Sequence, residues 1–170
     1  SGDNNPTKKR YEFEPGQVNK AALHGTAVHR IFEIWDYDRD TDEASVKEFL
    51  NYVREEGLIE DDLFELIRPD EITAFVNSDI ALRMKAAHKN GTLRREQPFV
   101  ISNNPEDPDS MLVQGIIDAY FEEEGKIILV DYKTDRGKNE SELKAAHKEQ
   151  LKYYGMALER MLHKELGESV

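Results

Sequence analysis

Two aspartates and a lysine stand where apolar strands should carry no charge. The stretch from Met111 to Asp135 reads MLVQGIIDAYFEEEGKIILVDYKTD, two apolar segments around a turn at Glu124-Gly125. Each segment holds one carboxylate, Asp118 and Asp131. An even-numbered loop centred on that turn sets Glu123 opposite Lys126 and Asp118 opposite Asp131. Opposed residues of an antiparallel pair have Cβ atoms roughly 4.5–5.5 Å apart. Strand side chains alternate faces, so Asp131 and Lys133 share one face and Tyr132 points to the other. Two carboxylates and an ammonium therefore converge on one patch of sheet.

Like charges at that distance repel, and burying them is costly unless something compensates. A divalent cation is the direct compensation, and hard cations such as magnesium prefer carboxylate oxygens, backbone carbonyls and water. The plainer alternative is an ion pair between Lys133 and Asp131 with nothing bound. Two other acid-x-Lys triplets occur, Glu124-Gly-Lys126 in the turn and Glu142-Leu-Lys144 at the opening of a helix. Only Asp131-Tyr-Lys133 ends an apolar strand beside a second acid, and that context points to a metal site. Without metal the two aspartates should titrate as a coupled pair, with one apparent pKa raised. Replacing Asp118 with alanine should then leave the fold intact or slightly stabilised, because a repulsion is removed.

The elements that must position this patch follow from periodicity. From Gln17 to Trp35 a helix is expected, with Ala21, Gly25, Val28, Phe32 and Trp35 recurring at three- and four-residue spacing. His29 and Glu33 lie one turn apart on a neighbouring face, with Gly25 one turn before His29. A helical glycine costs ~1 kcal/mol, so close packing or substrate approach would explain Gly25. Phe32 and Trp35 read as core, and His24, His88, His147 and His163 as surface or packing residues.

Residues 1–16 read as an arm or linker and residues 17–170 as one domain. Within it, residues 36–91 form a helical subdomain: a helix opened by Asp42 or Ser45 and ended by Gly57, a short one over Glu60–Ile67, one begun by Pro69, and one from Asp79 to Lys89 ended by Asn90-Gly91. Residues 92–165 form the core around the hairpin, with the His29 helix contributing to the site. Thr92 to Ile101 is a strand whose Pro98 implies an edge or a bulge. Glu96 on it is either a third acid near the site or a solvent-facing residue. Asn139 can cap the last helix, on which Gln150 and Tyr154 fall among the apolar positions Leu143, Ala157 and Met161, half-buried and aimed at the site. The expected class is α/β, a mixed sheet flanked by helices.

Composition bounds the rest. A chain of 170 residues with 38% hydrophobic and 34% charged residues suits one domain. No apolar run approaches the ~20 residues of a membrane span and no secretory signal opens the chain. The absence of cysteine excludes disulfides, zinc–thiolate sites and iron–sulfur clusters, and fits a cytoplasmic protein. The net charge of -12 argues against nucleic acid at first sight, but Glu33 to Glu71 holds 15 acidic and 4 basic residues, a net of -11, so the remainder is nearly neutral. That acidic block reads as a solvated helical face.

In order, the chain carries Gly25-x-x-x-His29-x-x-x-Glu33, Glu96-Gln-Pro-Phe99, Gly115-Ile-Ile-Asp118, Asp131-Tyr-Lys133-Thr134 and Gln150-Leu-Lys-Tyr-Tyr154. This set resembles the RecB-like branch of the PD-(D/E)xK nuclease superfamily, and within it the C-terminal nuclease domain of the AddA helicase–nucleases of the exonuclease V type. The resemblance runs from about Ala22 to Leu162. It implies a restriction-endonuclease-like fold and Mg2+ or Mn2+ as cofactor, an imidazole ligand suiting manganese at least as well. It implies His29, Asp118, Asp131 and the Tyr132 carbonyl as metal ligands, Lys133 as the catalytic lysine, and Gln150 and Tyr154 as a motif beside the metal and the DNA. Its implied setting is a larger enzyme that processes double-strand DNA ends for recombinational repair. The implied partners are a helicase domain on the same polypeptide and a second helicase–nuclease subunit. A related branch carries cysteines for an iron–sulfur cluster, which this chain lacks. No Gly-x-x-x-x-Gly-Lys-Ser/Thr loop is present, and the chain opens Ser1-Gly2, so an excised piece without its helicase half is expected. The family domain continues past the last helix with further strand, which this chain is expected to lack. Two competing readings are a non-catalytic DNA-binding or scaffold domain of the same fold, and a stand-alone nuclease. Against the first stands the intact set Asp118, Asp131 and Lys133, which an inactive domain has no need to keep.

Overall fold

The computed structural model describes residues 20–132 and 140–170, with 140–147 described through the backbone alone. The chain runs α1 (Lys20–Ile34), α2 (Glu43–Glu55), α3 (Asp61–Phe64), α4 (Pro69–Val76), α5 (Asp79–Lys89), β1 (Arg94–Ser102), β2 (Leu112–Glu123), β3 (Lys126–Val130), α6 (Glu140–Leu162) and β4 (Leu166–Ser169). The helix boundaries follow from local chemistry. Asp42, in extended backbone, precedes α2, Pro69 starts α4, and the Ser78 hydroxyl accepts from the Ala81 N–H at the head of α5. Beyond the ends of α2 and α5, Gly57 and Gly91 take φ of 62° and 76°, where a side chain would be strained.

The four strands form one mixed sheet in the order β1-β2-β3-β4, antiparallel except for the parallel β3–β4 pair. Glu124 and Gly125 both adopt positive φ, 53° and 75°, as a tight hairpin turn requires. The hairpin has the expected register, with Glu123 opposite Lys126 and Ala119 opposite Val130. Pro98 lies on β1, an edge strand, where its missing N–H costs no ladder bond.

Helices cover both faces of the sheet. Ile31, Trp35, Phe49, Ile72 and Met84 from α1, α2, α4, α5 and the α1–α2 link pack with Ala119, Phe121 and Val130. On the other face Phe99, Ile117 and Leu129 pack with Tyr154, Ala157 and Leu158 of α6. The mixed α/β architecture is thus the one expected, and Phe32 and Trp35 are core residues. Among the described residues, no helix is long and apolar enough to cross a membrane.

Two features depart from the sequence reading. The strand expected to be absent beyond the last helix is in the chain: β4 returns from α6 and joins β3. Its approach needs Gly155 on α6, where a Cβ would stand 2.8 Å from Leu166 Cδ2. The second is a break in strand alternation. Ile117 faces α6, yet Ala119 faces α1, and Phe99 and Arg95 on β1 diverge in the same way. The break falls at Asp118 and at Glu96, which has φ of 52° outside any glycine. Glu96 is the residue that the β1–β2 register sets against Asp118, and the ladder skips it.

Gly115 places a further constraint near this break. A Cβ there would lie 3.0 Å from the Phe99 ring and 3.4 Å from the Tyr154 ring. Gly115→Ala should cost roughly 1–3 kcal/mol by overpacking, read as a lowered midpoint of thermal unfolding. An unchanged midpoint would mean that the Phe99–Tyr154 contact has room to give.

Candidate metal and catalytic site

The site forms where α1, the break in β2 and the end of β3 meet. Helical spacing puts His29 and Glu33 one above the other, and their Nδ1–Oε1 distance is 2.9 Å. The other ring nitrogen, His29 Nε2, lies 3.2 Å from Asp118 Oδ1. The second oxygen of Asp118 accepts the Tyr132 N–H at 2.8 Å. The β2–β3 ladder closes at Ala119–Val130, so Asp118 and Asp131 are the next residue on each strand. The Asp131 side chain lies within reach of the Asp118 carboxyl. Asp131 is held in place by its N–H, which donates to the Val170 carbonyl at 2.9 Å beside β4.

Electrostatics follow from this geometry. Burial pushes the Asp118 carboxyl up, but hydrogen bonds from His29, the Tyr132 N–H and Asp131 together hold it below the usual carboxylate range. The hydrogen bond to Asp118 raises the His29 imidazole to about 9, against the opposing effect of burial. The metal-free site is therefore closed by its own imidazolium, which stands between Glu33 and Asp118. Its stability contribution is complete below the ordinary value of 6.5 and is lost as pH rises through about 9. In chelator, the unfolding midpoint of the parent should fall across that interval, and His29→Gln should flatten the fall. Superposable curves for the two proteins would show that His29 carries no extra charge when folded.

Glu96 joins the cluster from β1. One of its oxygens, Oε1, is buried with no hydrogen-bond partner. Burial raises its pKa first, and the Glu33 and Asp118 charges raise it further. Of the two readings open from sequence, the structure places this carboxylate beside Asp118, not in solvent. Tyr154 is buried on α6, and its hydroxyl receives the Gln150 amide at 2.6 Å. Burial, and then the charges of Asp131 and Asp118, raise the Tyr154 pKa, so the glutamine–tyrosine pair lies in the field of the two aspartates. Lys133 lies outside the described residues, as do the 1–16 arm and the Asn139 cap. Of the other histidines, His24 pairs with Glu71 at 2.7 Å and His88 with Asp38 at 2.9 Å, away from this cluster.

One site-forming residue carried no recognisable signal in the sequence. Arg95, next to Glu96, donates from Nη1 to the carbonyls of Glu33 and Trp35 at 3.1 and 2.7 Å. It satisfies the open carbonyls past the end of α1 and ties the helix bearing His29 to the strand beside Asp118.

Among the described residues, no three His, Asp or Glu side chains form a ready cage for a metal ion. The donors nevertheless suit a hard divalent cation: an imidazole, two adjoining carboxyls and the unpartnered Glu96 oxygen. The Tyr132 carbonyl would complete such a set. Opening the His29–Asp118 hydrogen bond would free one nitrogen and one carboxylate oxygen for it.

Comparison with known proteins finds similarity over most of the chain. The PD-(D/E)XK nuclease superfamily matches residues 7–169. The AddA-type ATP-dependent helicase/nuclease subunit of Lachnoclostridium phytofermentans is 31% identical, over 97% of this chain and 15% of that protein. The proteins of the same name from Clostridium botulinum strain Alaska E43 and Enterococcus faecalis are each 34% identical, over 86% and 89% of this chain. The chain spans 13% of the length of each of these two.

Proposed function

The chain belongs to the PD-(D/E)XK nuclease superfamily, and from that premise we propose that it is the metal-dependent DNA-cleaving module of an ATP-dependent helicase–nuclease. The observation that carries this reading is the convergence of His29, Asp118 and Asp131 on one point at the end of the β2–β3 hairpin. A scaffold has no use for two carboxyls set beside each other at the end of a hairpin. The relatives, named as ATP-dependent helicase/nuclease subunits, support the setting. In it, DNA ends are processed for repair by a helicase on the same polypeptide together with a second helicase–nuclease subunit.

His29, Asp118, Asp131 and the Tyr132 carbonyl would hold the cation, Mg2+ or Mn2+. When bound, such an ion neutralises phosphate charge and acidifies water. The chain's own residues do the remainder. Asp118 and Asp131 bring two negative charges to one point, and the Tyr132 N–H fixes the orientation of Asp118. Lys133, two positions after Asp131 in the sequence, orients the attacking water and stabilises negative charge that develops in the transition state. Gln150 and Tyr154 form the wall facing the DNA, and Glu96 supplies a further acidic oxygen beside Asp118.

Single-turnover cleavage of a short end-labelled DNA tests this, with Mn2+ against an equal concentration of chelator. Cleavage in Mn2+ and none in chelator is expected. Equal, negligible cleavage in both, with the DNA still bound, would favour the scaffold reading.

A further inference from the structure

We propose that Glu33 is the positioning residue of this site: it holds the His29 ring proton on Nδ1, so that Nε2 is the nitrogen presented to Asp118 and to a cation. The inference rests on the nuclease reading above for its metal, but its structural half stands without one. Glu33 Oε1 lies 2.9 Å from His29 Nδ1, closer than the 3.2 Å between Nε2 and Asp118 Oδ1. A neutral imidazole carries one ring proton, and the shorter carboxylate contact retains it. The other nitrogen then faces Asp118 with its lone pair free.

Glu33 is itself held. Its second oxygen receives Arg30 Nη1 at 2.9 Å, and its backbone carbonyl receives Arg95 Nη1 at 3.1 Å. The Glu33 side chain is 19% exposed, so the carboxylate is partly withdrawn from water and fixed on both sides. The His29 ring is further steadied edge-on by Tyr132, at 5.3 Å between ring centres. Left alone, a helical histidine prefers the proton on Nε2 and swings between rotamers. Here an acid one turn away, anchored from two directions, decides both tautomer and ring orientation. A carboxylate behind a metal-binding imidazole typically adds ~10–100-fold to affinity through this outer contact.

Two measurements test it. The first uses the metal-free protein in chelator, with the histidine rings labelled with 15N, at a pH where the ring is neutral. The parent should show the Nδ1–H tautomer, and Glu33→Ala the Nε2–H tautomer. An Nε2–H ring in the parent overturns the proposal without any variant, as does an Nδ1–H ring in Glu33→Ala. The second is calorimetric Mn2+ titration: Glu33→Ala should bind ~10–100-fold more weakly, with Glu33→Gln within a few-fold of the parent. Parent-like affinity in the alanine variant, or a glutamine variant as weak as alanine, overturns it. A parent that binds no Mn2+ counts against the nuclease reading instead, and the tautomer then decides the positioning role alone.

Discussion

Asp118→Ala is expected to lose Mn2+ affinity by more than about a hundredfold and cleavage with it, since even an outer contact to a metal ligand is worth ~10–100-fold. The carboxylate is the junction of the site. It pairs with His29, lies within reach of Asp131 and accepts the Tyr132 N–H at 2.8 Å. This last contact reverses the expectation that removing Asp118 is harmless to the fold. The alanine variant strands a buried backbone N–H, which costs about 1–3 kcal/mol. It also leaves His29 Nε2 without its partner. The repulsion thought to be relieved is already offset by the His29 imidazolium at Asp118. Asp118→Asn keeps an acceptor for Tyr132 and should unfold near the parent midpoint, while still losing metal. Calorimetry beside thermal unfolding in chelator separates the two effects. Parent-like Mn2+ affinity in Asp118→Asn and Asp118→Ala would remove this residue from the ligand set.

Lys133→Ala separates binding from chemistry. An ammonium cannot ligate a cation and repels one nearby, so its removal should leave Mn2+ affinity unchanged or raised. The same change removes the group proposed to orient the attacking water. Losing one such contact in the transition state costs on the order of 10²–10³ in rate, or ~3–4 kcal/mol. Single-turnover cleavage at saturating Mn2+ should therefore slow at least about a hundredfold, with DNA affinity preserved. A rate close to the parent's would make Lys133 an ion-pair partner of Asp131 and refute its assigned role.

Local pattern made much of this site legible. The Glu124-Gly125 turn fixed the register that sets Asp118 and Asp131 side by side, because a hairpin's loop determines every pair above it. Helical spacing was enough to join His29 to Glu33. What could not be read depends on contacts far apart in sequence. The alternation break at Asp118 comes with a positive φ at Glu96, a residue type that gives no warning of it. Without the break, Glu96 remains ambiguous between site and solvent. Arg95 acts through carbonyls 60 and 62 positions away. β4 is four residues, LGES, with no apolar alternation, and exists because β3 and Gly155 offer it a place.

The central claim is that a divalent cation displaces the His29 imidazolium from Asp118 and is held there together with Asp131. Anomalous diffraction from crystals soaked in Mn2+ tests it most directly. The account predicts one strong peak in contact with His29 Nε2, Asp118 and Asp131, with the His29–Asp118 hydrogen bond of 3.2 Å opened to admit it. Saturating Mn2+ with no peak there, and that hydrogen bond still closed, would contradict it.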